Sequence, residues 1–168
     1  MQNEHARSHA PSHYWRLLAM TLLSFLAMYA LMYAMVDRFS NALPNVNQAY
    51  MAGLMTAAMV LIELLVMGAM YPKRRLNAGI LAASSLLLVA CWGLIRAQSG
   101  VSDEQFLKSM IPHHASAILM CEHATLRDPS LDRLCAGIVS SQQREIDFMK
   151  QKLRDPAAKN VGDALSAR

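Results

Sequence analysis

The chain has 168 residues, 54% of them hydrophobic, and a formal net charge of +4. Residues 1–97 carry seven Lys/Arg against Glu4, Asp37 and Glu63, whereas residues 98–168 carry nine of each sign. The surplus therefore belongs to the apolar half and its loops, which argues against a nucleic-acid-binding surface and for a charge set by membrane topology.

Residues 1–13 are polar and include His5, His9 and His13. They read as a solvated, disordered leader rather than a metal-binding tail. Three apolar runs follow, Leu17–Val36, Ala49–Tyr71 and Ala78–Ile95. At 1.5 Å per residue each is long enough, or nearly so, for a hydrocarbon core of about 30 Å. The first run exceeds the roughly 7–15 apolar residues of a signal peptide, so it is expected to stay as an anchor. Leu43-Pro44-Asn45 supplies a turn between the first two runs. Lys73-Arg74-Arg75 lies between the second and third, and Arg7 and Arg16 precede the first. The positive-inside tendency then puts the N-terminus and the Lys-Arg-Arg loop in the cytoplasm. The C-terminal segment falls outside, in the periplasm if this is the inner membrane of a diderm bacterium.

Within the spans, an antiparallel fold sets Met20 level with Met67, Met28 with Met59 and Met32 with Met55. Such a ladder suits a thioether path for Cu(I), but methionine filling gaps between packed helices is the simpler reading. Glu63 is expected deep in the membrane, level with Ser24 and Ser84, protonated and hydrogen-bonded to those hydroxyls. Two roles stay open for it: passage of a proton or metal, or a polar clamp on three helices. Cys91 reads as a small buried residue near Met55.

Beyond Ser99-Gly100 the composition becomes that of a water-soluble segment. Ser102 followed by Gln105 marks a helix start near Asp103. Asp128-Pro129 marks a second start, and Asp155-Pro156 stops that helix near Arg154. The expected division is a leader (1–13), a membrane domain of three helices (14–97), a soluble antiparallel hairpin (98–155) and a loose tail (156–168). The fold class is all-α. One hairpin buries too little apolar surface to stand alone, so it needs a partner.

In the first hairpin helix Leu107, Met110, His114, Ile118 and Cys121 share a face, with His113 and Met120 at its edge. In the second, Cys135, Ile138, Gln142, Glu145, Ile146 and Met149 do. Folding at Asp128 sets Cys121 level with Cys135, His114 with Gln142, and Met110 with Ile146, between Glu145 and Met149. The two thiols suit either a Cu(I) dithiolate or a disulfide closing a loop of about 15 residues, worth about 3 kcal/mol in the chain-entropy account. Met110, His113, His114, Met120, Glu145 and Met149 suit a soft metal site, against the plainer reading of a bundle core with a polar seam. Copper is favoured over zinc because methionine is a poor zinc ligand. The Glu-x-x-His spacing of di-iron bundles is absent.

The run Phe106-Leu107-x-x-Met110-Ile111-Pro112-His113-His114-x-x-Ala117-Ile118-x-Met120, followed by Leu134-x-x-x-Ile138-x-x-x-Gln142-x-x-Glu145-Ile146-x-x-Met149, resembles the bacterial domain-of-unknown-function 305 family over residues 103–153. The resemblance implies a ferritin-like helical bundle and copper binding in some members. Longer members repeat the hairpin, so a single copy implies a bundle completed by a homo-oligomer. Cys121 and Cys135 stand where many members carry small residues. With no catalytic triad, phosphate loop or nucleotide motif in the sequence, a non-enzymatic role is expected: copper capture or buffering by a membrane-anchored protein. The alternatives are a structural subunit whose hairpin drives oligomerisation without metal, and a small metal or proton transporter using Glu63.

Overall fold

The computed structural model describes residues 10–155. Five α-helices account for the architecture: α1 (Ala10–Leu31), α2 (Val46–Val66), α3 (Arg74–Ala97), α4 (Asp103–His123) and α5 (Pro129–Arg154). Short 3₁₀ turns occupy Met32–Met35, Phe39–Asn41 and Gly68–Met70. No strand occurs among the described residues, and the all-α expectation holds. Helix α1 begins at Ala10, inside the stretch read as a leader; residues 1–9 and the tail from 156 lie outside the described residues.

Three helical segments are long and apolar enough to cross a membrane: His13–Met35, Val46–Val66 and Arg74–Ala97. The chain forms two compact units, one built from the chain up to Leu31 with Ala49–Ser99, the other from Met32–Gln48 with the chain from Gly100. The expected boundary at residue 98 is therefore incomplete. The segment between the first two spans belongs with the hairpin, not with the spans.

In the first unit Leu17, Val60, Leu64 and Tyr71 form a buried cluster, with Met20, Met59, Ile80 and Leu81 packed around it. Leu22, Leu26, Ile62, Leu65, Leu86 and Val89 are exposed, an apolar outer surface of the kind a helix crossing a membrane presents. Met28 Sδ accepts a hydrogen bond from Thr56 Oγ1 at 3.7 Å, one helical turn from Met59 on α2. Gly53 lets α2 and α3 come close: a Cβ there would stand 3.1 Å from Cys91 Sγ.

The second unit is built on the hairpin. Ser102 caps α4 by accepting from Gln105 N at 3.4 Å, and Asp128 caps α5 by accepting from Ser130 N at 2.7 Å. Pro129 takes the first turn of α5, where its missing N–H costs nothing. Ile111, Ala115, Ile118, Ile146 and Met149 form the core between the helices, with Val36 and Leu43 from the loop packed against it.

Pro112 explains why that loop docks. A proline inside a helix leaves the carbonyl four residues earlier without its N–H partner. That carbonyl is Lys108 O, and it accepts from Asn45 Nδ2 at 3.5 Å, an amide that also donates to Leu43 O at 3.1 Å and Gln48 Oε1 at 3.2 Å. Asn45 Oδ1 meanwhile accepts from Gln48 N at 3.0 Å and so caps the start of α2. Gln105 Oε1 adds a bond from Val46 N at 3.0 Å. One buried asparagine thus fills a gap in α4 and starts α2.

Candidate metal centre

The site grows from two four-residue spacings. Residues four apart on a helix stack on one face. Met110 and His114 do so on α4, and Glu145 and Met149 on α5. Ile111 and Ile146 are fully buried between the helices. The two pairs meet at His114 and Glu145, whose Nδ1 and Oε2 lie 3.2 Å apart. Met149 belongs to the buried core and Met110 packs against it.

His114 is 8% exposed, whereas the Glu145 side chain is 53% exposed. The carboxylate is within ion-pair reach but makes no hydrogen bond to the ring, so Nδ1 is a buried nitrogen without a hydrogen-bond partner. Such an atom normally costs about 1–3 kcal/mol, which makes it the feature of the hairpin that most needs a ligand. Burial pushes the His114 imidazole below its ordinary value; Glu145 opposes that shift and neighbouring His113 adds to it. A neutral imidazole is the form that binds a metal.

Two residues of the expected set stand apart. His113 is exposed, its ring centroid 6.0 Å from that of His114. Met120 is 59% exposed on the outer side of α4. A one-residue step turns a helical side chain by about 100°, so when His114 faces the core His113 cannot. The donors brought to one place are therefore His114 and Glu145, with Met110 and Met149 one helical turn away along their own helices. Among the described residues no three His, Cys, Asp or Glu side chains gather closely enough to hold a metal by themselves. Gln142, expected level with His114, is half-buried; the residue opposite the imidazole is Glu145, one helical turn further on.

Cys121 and Cys135 are joined in a disulfide with Cα atoms 5.1 Å apart, and Cys91 is a free, buried thiol. Of the two readings left open for this pair, the structure contains the disulfide.

Glu63 is not where hydropathy placed it. Helix α2 ends at Val66, so Glu63 stands in its last turn rather than deep in the span. The chain breaks at Met67 and turns through Gly68–Met70, which brings Tyr71 back to donate from its hydroxyl to Glu63 Oε1 at 3.1 Å. Ser84 is buried on α3 and Ser24 is half-buried on α1, but the partner of Glu63 is Tyr71 rather than either hydroxyl. Tyr71 also packs its ring on Tyr14 at 5.4 Å, and its carbonyl accepts from Asn77 Nδ2 at 2.9 Å. The sequence reading missed Tyr71 and Asn45. Gly68 was a signal for the first, and Pro112, which frees a carbonyl, was a signal for the second.

Comparison with known proteins agrees with the resemblance seen in the hairpin. The model of a family described as Domain of unknown function (DUF305) matches residues 91–153. A protein of Acanthamoeba polyphaga mimivirus described as uncharacterized protein L153 is 29% identical over 150 residues, covering 86% of this chain and 95% of the viral one. An alignment of that length cannot fit within the hairpin, so the likeness extends into the apolar helices. No solved structure matches.

Proposed function

We propose that this protein is anchored in a membrane by three helices and captures or buffers copper on its helical hairpin. The observation that carries the reading is the His114 Nδ1 atom, buried, without a hydrogen-bond partner and 3.2 Å from the Glu145 carboxylate. Imidazole with neighbouring thioethers suits copper better than zinc, because methionine sulfur is a soft ligand. In this reading His114 binds the metal through Nδ1, Met110 and Met149 supply thioethers, and Glu145, 3.2 Å from that nitrogen, offsets the charge of the ion. Gln142 lies one turn away on α5. The role is one of binding, not catalysis. The Lys73-Arg74-Arg75 loop supports an inner-membrane orientation with a cytoplasmic N-terminus and a periplasmic hairpin.

The test is an anaerobic copper titration of the full chain in detergent. Substituting His114→Ala should weaken binding by more than the roughly 10–100-fold loss expected for Glu145→Gln, which removes the charge beside the ion. Undiminished affinity in both His114→Ala and Met110→Ala would remove the site.

A second reading, oligomerisation through the hairpin, is favoured by a separate observation. Phe106, Leu131, Leu134 and Phe148 are each 45–57% exposed on α4 and α5. A second copy covering them would complete a helical bundle, with or without metal. Light scattering of the detergent-solubilised chain tests this, with a strict monomer as the outcome against it. Transport through Glu63 has less support, since that carboxyl stands at the end of its span and is engaged by Tyr71.

A further inference from the structure

The geometry points to a second, redox-gated copper site at the opposite end of the hairpin: we propose that Cys121 and Cys135 alternate between a disulfide that ties α4 to α5 and, once reduced, a dithiolate that takes Cu(I). The proposal shares its metal with the reading above but not its residues.

Two observations carry it. The sulfurs lie on facing positions of two helices, with Cα atoms 5.1 Å apart, close enough for both to reach one ion after the S–S bond is gone. More telling is what surrounds them. None of the residues 119–138 is buried, and both cysteines are half-exposed. The core lies toward the other end of the hairpin, with Ile118 its last buried member on α4 and Ile146 its first on α5. Leu131 and Leu134 are 45% and 57% exposed. The disulfide is therefore the tie that holds the turn end closed, in reach of a reductant and free of the packing that makes a structural bridge inert. Cutting it leaves the core intact and gives the two thiols room to adjust, which a pair locked in a core does not have.

The chemistry balances in two steps. A thiol reductant attacks one sulfur, and a second thiol equivalent resolves the mixed disulfide. The protein's S–S bond breaks, two electrons and two protons pass to Cys121 and Cys135, and the reductant leaves as its own disulfide. Cu(I) then displaces both thiol protons and forms two Cu–S bonds, with no change in metal oxidation state. Exchange with a second disulfide reverses this: that disulfide takes two electrons and two protons and leaves as two thiols, the Cys121–Cys135 bond re-forms, and Cu(I) is released unchanged in oxidation state. The pair thus gives the hairpin a copper capacity that exists only under reducing conditions.

The experiment uses the full chain in detergent, in air-oxidised and phosphine-reduced forms, titrated anaerobically with Cu(I) against a chromophoric Cu(I) chelator. The reduced form should hold about one copper per chain more than the oxidised form. That extra copper should protect Cys121 and Cys135 from alkylation by a maleimide, read by mass spectrometry on the unsubstituted chain. The increment should vanish in Cys121→Ser/Cys135→Ser and persist in Cys91→Ser. Equal capacity in both forms, or thiols alkylated as fast with copper as without, overturns the inference. Repeating the titration in His114→Ala separates the two sites. A redox increment that survives there, with the remaining binding unchanged, removes the His114 site and leaves this one standing.

Discussion

Burial disfavours the charged form of the His114 imidazole, and the sign of that effect can be followed into stability. Burial lowers its proton affinity in the folded chain below the ordinary value of 6.5. As pH falls past that value the unfolded chain takes up the proton first. The contribution of His114 to folding is therefore complete above about pH 6.5 and is lost as pH falls toward and through the depressed folded value. Thermal unfolding monitored between neutral and mildly acidic pH should show this decline, and His114→Gln should flatten it. Glu145 acts in the opposite direction on the same ring. Glu145→Gln should therefore move the His114 titration to still lower pH in an NMR experiment on the ring protons; an upward move would contradict the pairing.

Asn45 admits a similar dissection, since its two side-chain atoms serve different helices. Replacing it with Ala removes a helix cap, at about 1 kcal/mol, and orphans the Lys108 carbonyl, at about 1–3 kcal/mol. Asn45→Asp keeps the acceptor that caps α2 and loses the donor. The thermal midpoint should rank wild type above Asn45→Asp and that above Asn45→Ala.

Among the elements, the two ends of the hairpin answer to different forces. Ile146 is fully buried, so Ile146→Ala should cost about 2–5 kcal/mol. Leu134 is 57% exposed, and Leu134→Ala should change the stability of a monomer by less than about 0.5 kcal/mol. Reducing the disulfide, whose cysteines are 14 positions apart, should cost about 3 kcal/mol by loop-closure entropy. Denaturant titrations of the three species check the ranking. These helices were legible in the sequence because their signals are local: Ser102 before Asp103, Asp128-Pro129, and Asp155-Pro156. The proximity of Cys121 and Cys135 was legible for the same reason, as arithmetic on one short turn. The depth of Glu63 was not. Met67, Ala69, Met70 and Tyr71 are apolar enough to extend the second run, and hydropathy does not register the backbone break that ends α2 at Val66. Nor could the sequence assign Met32–Gln48 to the hairpin, because that choice rests on non-local bonds from Asn45 and Gln105. Within the site, the face holding Met110 and His114 was readable from spacing, but the partner across the seam was displaced by one turn, from Gln142 to Glu145.

At the scale of the whole molecule, the proposed orientation rests on three helices long and apolar enough to cross a bilayer and on the charges of the loops between them. A membrane-impermeant maleimide applied to spheroplasts should therefore label Ser130→Cys at the turn of the hairpin. It should reach Lys73→Cys only after permeabilisation. The reverse pattern would invert the orientation. Pro112 has a practical corollary for anyone wishing to excise the outer portion. A polypeptide cut to begin after α3 keeps α4 and α5 but leaves behind the amide that answers the Lys108 carbonyl. Its first helix would open a wet notch at a carbonyl three residues before the fully buried Ile111. The smallest faithful fragment is thus a graft, in which residues 32–48 are carried along on a flexible tether.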